Sequence, residues 1–180
     1  MTDLALYSKR ITGMADTFST ETFLNSSIEH AGIIFSNIFR KAENYIYIYA
    51  GDLNGGISSQ NQYWFELLNF LSKNKSEHLK ILLSKYNPDN IPDLFFRINE
   101  PEFISKIEVK YIDKPVMMNE KEFHFCVADG LMYRLETDVE LFLAQGSFNN
   151  VDVSKSLETI FENLFKTGKP IDICNFSVAI

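Results

Sequence analysis

Cysteine is scarce in this chain: two in 180 residues exclude a disulfide scaffold and a multi-cysteine zinc site. Histidine is nearly as rare, at three. His30, His78 and His124 form no recognisable ligand spacing, and no metal site is expected. Long apolar runs are missing as well, and none approaches the roughly 20 residues of a membrane helix. The first 19 residues carry Asp3, Lys9, Arg10 and Asp16, so they hold no apolar signal core. The expectation is a cytoplasmic protein with no membrane segment. Positive charge is also short: 17 Lys and Arg against 24 Asp and Glu leave −7. Such a balance disfavours non-specific nucleic-acid binding unless the bases cluster locally. No internal repeat, low-complexity tract or linker is visible.

What the chain does have is phenylalanine, 16 of them, within a hydrophobic fraction of 46%. That is enough for one Phe-rich core, and 180 residues bury about 70% of the unfolded surface. A single domain over residues 1–180 is expected, with 1–20 and 171–180 as loosely placed arms.

The pattern alternates strand and helix. Ser26 or Ser27 can cap a helix to about Ala42, because Ile28, Ala31, Ile34, Phe35, Ile38 and Phe39 recur at helical spacing. Tyr45–Ala50 is aromatic and β-branched, hence a strand. The glycine-rich stretch 51–59 reads as a loop, and Gln60–Lys73 as an amphipathic helix. Leu79–Leu83 and Ile107–Ile112 read as strands around a short helix at Asp93–Asn99. Phe123–Ala128 and Met132–Leu135 flank the hairpin signal Asp129-Gly130. Val139–Ala144 is expected as a further strand. A last helix starts from a cap at Asp152 or Ser154 and ends near Lys166. The order predicts an α/β fold, a mixed sheet flanked by helices on both faces.

The chemistry-bearing stretch is Glu122–Asn150. Strand alternation puts Glu122, His124 and Cys126 on one face and Phe123, Phe125 and Val127 on the other. A two-residue turn at Asp129-Gly130 pairs Cys126 with Tyr133. A three-residue turn pairs Cys126 with Arg134 and His124 with Glu136. The three-residue turn is expected, since it keeps Arg134 off the phenylalanine face. Gly146-Ser147-Phe148-Asn149-Asn150 then stands at a strand-to-helix junction, where a hydroxyl, amides and backbone N–H groups suit a phosphate.

These residues resemble the phospholipase D superfamily, whose motif is His-x-Lys-x4-Asp followed by Gly-Ser-x-Asn. The likeness covers about residues 28–165. Gly146-Ser147-Phe148-Asn149 matches the second half, and Asp129 matches the aspartate at the hairpin. Counting back from Asp129 puts His124 on the lysine position and Glu122 on the histidine position. In the other register His124 is the nucleophile, Cys126 falls on the lysine, and Asp129 comes two residues early. The 17 residues from Asp129 to Gly146 exceed the family's spacing, and an extra turn at Thr137-Asp138 would absorb the excess.

The resemblance implies metal-independent and cofactor-free chemistry, in which a histidine attacks phosphorus and forms a phosphohistidine. It also implies a homodimer in which two motifs face each other. His124, Asp129, Ser147 and Asn149 would be catalytic. Arg134, Glu136, Glu122, Gly146 and Asn150 would hold substrate or phosphate. Each has a structural reading too. His124 can bond Glu136 or Glu122, Arg134 can be a structural ion pair, Cys126 a buried hydrophobe, and the Asn residues helix caps. His30 and His78 are expected to be solvated. Two functions therefore stand. One is a dimerising recognition or scaffold subunit binding phosphate or nucleic acid, within a larger protein complex of nucleic-acid-processing or defence type. The other is a phosphodiesterase or nuclease with His124 as nucleophile.

Overall fold

A computed structural model describes residues 3–73 and 79–175 of the chain. His78 and the tail beyond Asn175 lie outside the described residues. The helices are α1 (Asp3–Asp16), α2 (Ile28–Lys41), α3 (Asn61–Lys73), α4 (Asp93–Ile98), α5 (Pro101–Ile104) and α6 (Val151–Thr167). The strands are β1 (Phe23–Asn25), β2 (Ile46–Ala50), β3 (Leu79–Leu83), β4 (Ile107–Tyr111), β5 (Met117–Met118), β6 (Lys121–Glu122), β7 (His124–Ala128), β8 (Met132–Asp138), β9 (Leu143–Ser147) and β10 (Lys169–Pro170). Eight of them form one mixed sheet in the order β1-β9-β8-β7-β2-β3-β4-β10, and β5 pairs with β6 apart from it.

The sheet divides two cores. β2, β3 and β4 run parallel, and β7, β8, β9 and β1 continue the sheet antiparallel. Ile48, Ile81 and Cys126 meet the buried faces of α1 to α5 on one side. Tyr49, Leu82, Phe125 and Val127 meet Leu157, Phe161 and Phe165 of α6 on the other. This is the division that alternation along β7 predicts. β2 is apolar and aromatic throughout, as a central strand covered on both faces tends to be, while β3 and β4 carry Lys80, Glu108 and Lys110 at partly exposed positions.

Local chemistry sets the helix ends. The Ser27 hydroxyl accepts from the His30 N–H at 3.2 Å, which starts α2. Gly32 of α2 is where Gln60 packs: a Cβ there would stand 1.8 Å from the Gln60 Oε1.

Several expectations need correction. Residues 3–16 are a docked helix, because Ile11, Met14 and Ala15 recur at helical spacing and are buried. The C-terminal segment is not wholly loose either. β10 pairs with β4, and Ile171 and Ile173 are buried. The strand expected at Val139–Ala144 starts only at Leu143. β8 runs on to Asp138 and the chain turns over 139–142, with Phe142 at φ 54°. The cap of α6 is Asn150, whose Oδ1 accepts from the Val153 N–H, rather than Asp152 or Ser154. His30 is half-buried and stacks on the Tyr7 ring at 3.8 Å, because α1 covers the helix face that looked solvated.

Candidate functional site

The β7–β8 turn spans three residues, so His124 pairs with Glu136 and Cys126 with Arg134. His124 stands at the start of β7. Tyr49 of β2 pairs with Phe125, which puts His124 beside the carboxyl end of the parallel strands. Open α/β sheets hold ligands at that end.

Glu136 and Glu122 flank the imidazole. His124 Nδ1 lies 3.3 Å from Glu136 Oε2, and Nε2 lies 3.3 Å from Glu122 Oε1. Arg134 donates from Nη2 to Glu136 Oε1 at 2.8 Å and from Nε to Asn25 Oδ1 at 2.8 Å. Its guanidinium is 1% exposed and stacks over Phe35 at 5.1 Å. Arg134 thus shares the His124 face, as expected, but is fully buried in an aromatic setting. Glu122 also accepts from the Ser84 hydroxyl at 2.9 Å and from Lys85 Nζ at 2.8 Å.

The carboxylates are held charged. Burial pushes the Glu136 carboxyl up, but the hydrogen bond with His124 and the charge of Arg134 outweigh it and bring it below the ordinary range. Burial likewise opposes Glu122, and hydrogen bonds from Lys85, Ser84 and His124 bring it down. Cys126 is a buried thiol pushed up to about 12 by desolvation, so it is no nucleophile. Among the described residues no group of three His, Cys, Asp or Glu is placed to hold a metal ion.

A cavity of about 390 Å³ opens over this cluster. Its rim is the loop from Gly51 to Ser58, and its walls include Ile28, Phe35 and Phe142. The glycine-rich loop was visible in the sequence. Asn25, Ser84 and Lys85 were not, since nothing local marks a β1 asparagine or a strand end as neighbours of His124.

The other candidates sit elsewhere. Asp129 is five residues from His124, at the opposite end of β7. Its carboxylate accepts from the backbone N–H groups of Glu43, Asn44 and Tyr45 at 2.7, 2.9 and 2.9 Å. It fastens the α2–β2 connection. Ser147 pairs with Tyr133, which pairs with Val127. That row is three residues, about 10 Å, from the His124 row and faces the opposite side of the sheet. Its hydroxyl donates to the Ser19 carbonyl at 3.3 Å and accepts from the Asn149 N–H at 3.2 Å. Gly146 is required by packing: a Cβ there would lie 2.2 Å from the Tyr133 carbonyl and 2.5 Å from the Phe23 ring. Asn149 leads into α6 and Asn150 caps it. The structure therefore gathers His124, Glu122, Glu136 and Arg134, and leaves Asp129, Gly146, Ser147, Asn149 and Asn150 out of that cluster.

This arrangement of sheet and helices is a phospholipase D fold. The chromatin protein TrmBL2 from an archaeon, whose structure shows a novel mode of DNA binding, superposes with a TM-score of 0.60 at 15% identity. The match covers 93% of this chain and 62% of that one, so the chain spans under two thirds of TrmBL2. Nuc from Salmonella typhimurium, a phospholipase D family member, gives 0.56 at 11% identity over 84% of this chain and 99% of its own. NucT from Helicobacter pylori gives 0.58 at 7% identity over the same shares. No family model matches the sequence, and no curated protein matches it. Among the described residues no helix is long and apolar enough to cross a membrane.

Proposed function

We propose that this chain is a recognition domain of phospholipase D fold that does not cleave phosphodiesters. The observation that carries this reading is the setting of His124, whose two ring nitrogens both face ionised carboxylates. A nucleophilic histidine needs a free nitrogen and positive charge around the phosphoryl oxygens. Here Arg134 is tied to Glu136 and Lys85 to Glu122, so an approaching phosphodiester finds no unpaired positive charge in the cluster. Of the expected family contacts, Ser147 lies about 10 Å along the sheet on its other face, Gly146 pairs with Arg134 but is packed under Phe23, and Asn149 lies beyond the end of β9.

The domain acts as a dimer that binds nucleic acid within a larger nucleic-acid-processing or defence complex. Its likeness in fold to a DNA-binding chromatin protein supports the ligand class. The sheet supports the dimer. α6 packs on β2, β7 and β8, while Leu24 and Leu143 on the β1–β9 side are 69% and 41% exposed.

The test is cleavage of single- and double-stranded DNA and RNA in EDTA beside a His124→Ala control, with sedimentation of the same protein. Intact substrates and a dimer are expected. Cleavage that the control abolishes would instead establish His124 as the nucleophile of a metal-independent phosphodiesterase.

A further inference from the structure

The cavity over His124 has a composition of its own. Its volume of about 390 Å³ falls within the roughly 300–1,000 Å³ of ordinary small-molecule pockets. Ile28, Phe35 and Phe142 make an apolar chamber, and Tyr63, Arg134 and Glu136 form a polar corner.

Two donors in that corner have no protein acceptor among the described residues. Tyr63 is 1% exposed and lines the cavity. Its ring packs edge-on to Phe35 and Phe39, and no described group bonds its hydroxyl. Arg134 commits Nε to Asn25 and Nη2 to Glu136, which leaves Nη1. Both residues line the cavity, so a molecule in the chamber can complete the donors that the protein leaves free.

Charge narrows what that something is. The Arg134 charge is balanced by Glu136 at 2.8 Å, and Glu122 by Lys85 at 2.8 Å. An anion entering the chamber finds no unpaired cation, and a cation finds no unpaired carboxylate in the corner. Asp52, at the rim, is exposed and accepts from the Asn54 N–H.

We infer that this cavity binds a small uncharged molecule with an apolar body and a carbonyl-type acceptor. The acceptor takes the Tyr63 hydroxyl and the Arg134 Nη1 hydrogens, and the body lies against Phe35 and Phe142. This rests on the reading above that the site does not serve phosphodiesters.

Benzamide, benzoate and benzylamine share one apolar ring and differ in charge, so they are the probes. Each is titrated into ¹⁵N-labelled full-length protein while amide shifts are followed. Benzamide is expected to give saturable shifts at residues 51–58 and at His124, with benzoate and benzylamine at least about tenfold weaker, a difference of one decade in dissociation constant. Tyr63→Phe is expected to weaken benzamide about fivefold, the worth of one hydrogen bond, at an unchanged melting temperature. Ile28→Trp, which fills the chamber from its wall, is expected to abolish the shifts. The inference is overturned if benzamide gives no saturable shift, if benzoate or benzylamine binds as tightly, or if Tyr63→Phe binds as well as the wild type. Cleavage in EDTA is read on the same preparation. It would overturn the non-catalytic reading separately, whatever the probes do.

Discussion

At the open end of the β7–β8 hairpin, His124, Glu136, Arg134 and Glu122 bond one another and border a cavity. Toward the closed end, Asp129, Ser147 and Asn150 bond backbone groups, and Gly146, level with Arg134, packs against the Tyr133 carbonyl and the Phe23 ring. The closed end carries the residues that match the family's motif most fully, and the open end carries those that match it least. A carboxylate that catches three N–H groups and a glycine under a phenylalanine ring each have structural work at their own positions.

The contrast can be broken hardest at Arg134. Arg134→Ala leaves Glu136 buried without its arginine, with only His124 beside it, and is expected to cost about 3–5 kcal/mol in urea unfolding. The double variant Arg134→Met with Glu136→Leu removes both charges and is expected to cost less than the single change. A cost equal to or above the single variant would show that the pair does more than neutralise itself.

At the closed end, Asp129→Ala removes an ionised acceptor from three N–H groups. About 1.5–3 kcal/mol of stability should go with it, while amide shifts around His124 stay where they are. Gly146→Ala forces Phe23 and the Tyr133 carbonyl apart and should cost about 1–3 kcal/mol. If Gly146 served a phosphate instead, the variant would lose ligand affinity with little loss of melting temperature.

Acid separates the two ends more gently. Glu122 and Glu136 both lie below the ordinary carboxylate range in the fold. The unfolded chain therefore binds more protons in acid, and stability rises with pH across that window. The contribution is fully present above about pH 4.3 and is lost as pH falls through the lower folded values. Glu136→Gln should flatten the acid limb of a melting-temperature profile, and an unchanged limb would refute the assignment. The smallest effect is expected at Asn150→Ala, about 1 kcal/mol for a lost helix cap, with no change at the cavity.

Much of the fold is legible in the order of residues alone. The apolar spacing of α2 and α3 and the aromatic run of β2 set helices and strands within a residue or two. Refusing a phenylalanine face to Arg134 sets the hairpin turn, and through it the pairing of His124 with Glu136. The docking of α1 and the pairing of β1 with β9 are not legible. Asp3–Asp16 is only weakly amphipathic, and a three-residue strand carries no period to read. The shift of β9 to Leu143–Ser147 is hidden for a related reason, because Val139–Ala144 is as apolar as the strand that follows it.

By itself the sequence determined the α/β alternation, the two faces of β7 and the group of charged residues around His124, because those depend on spacing along one chain. Tertiary structure decided how the group is bonded. Only the packing of β1, β8 and the β3 end brings Asn25, Arg134 and Lys85 to the two glutamates. That closure neutralises the charges, burial makes their pairing obligatory, and two donors are left facing an apolar chamber.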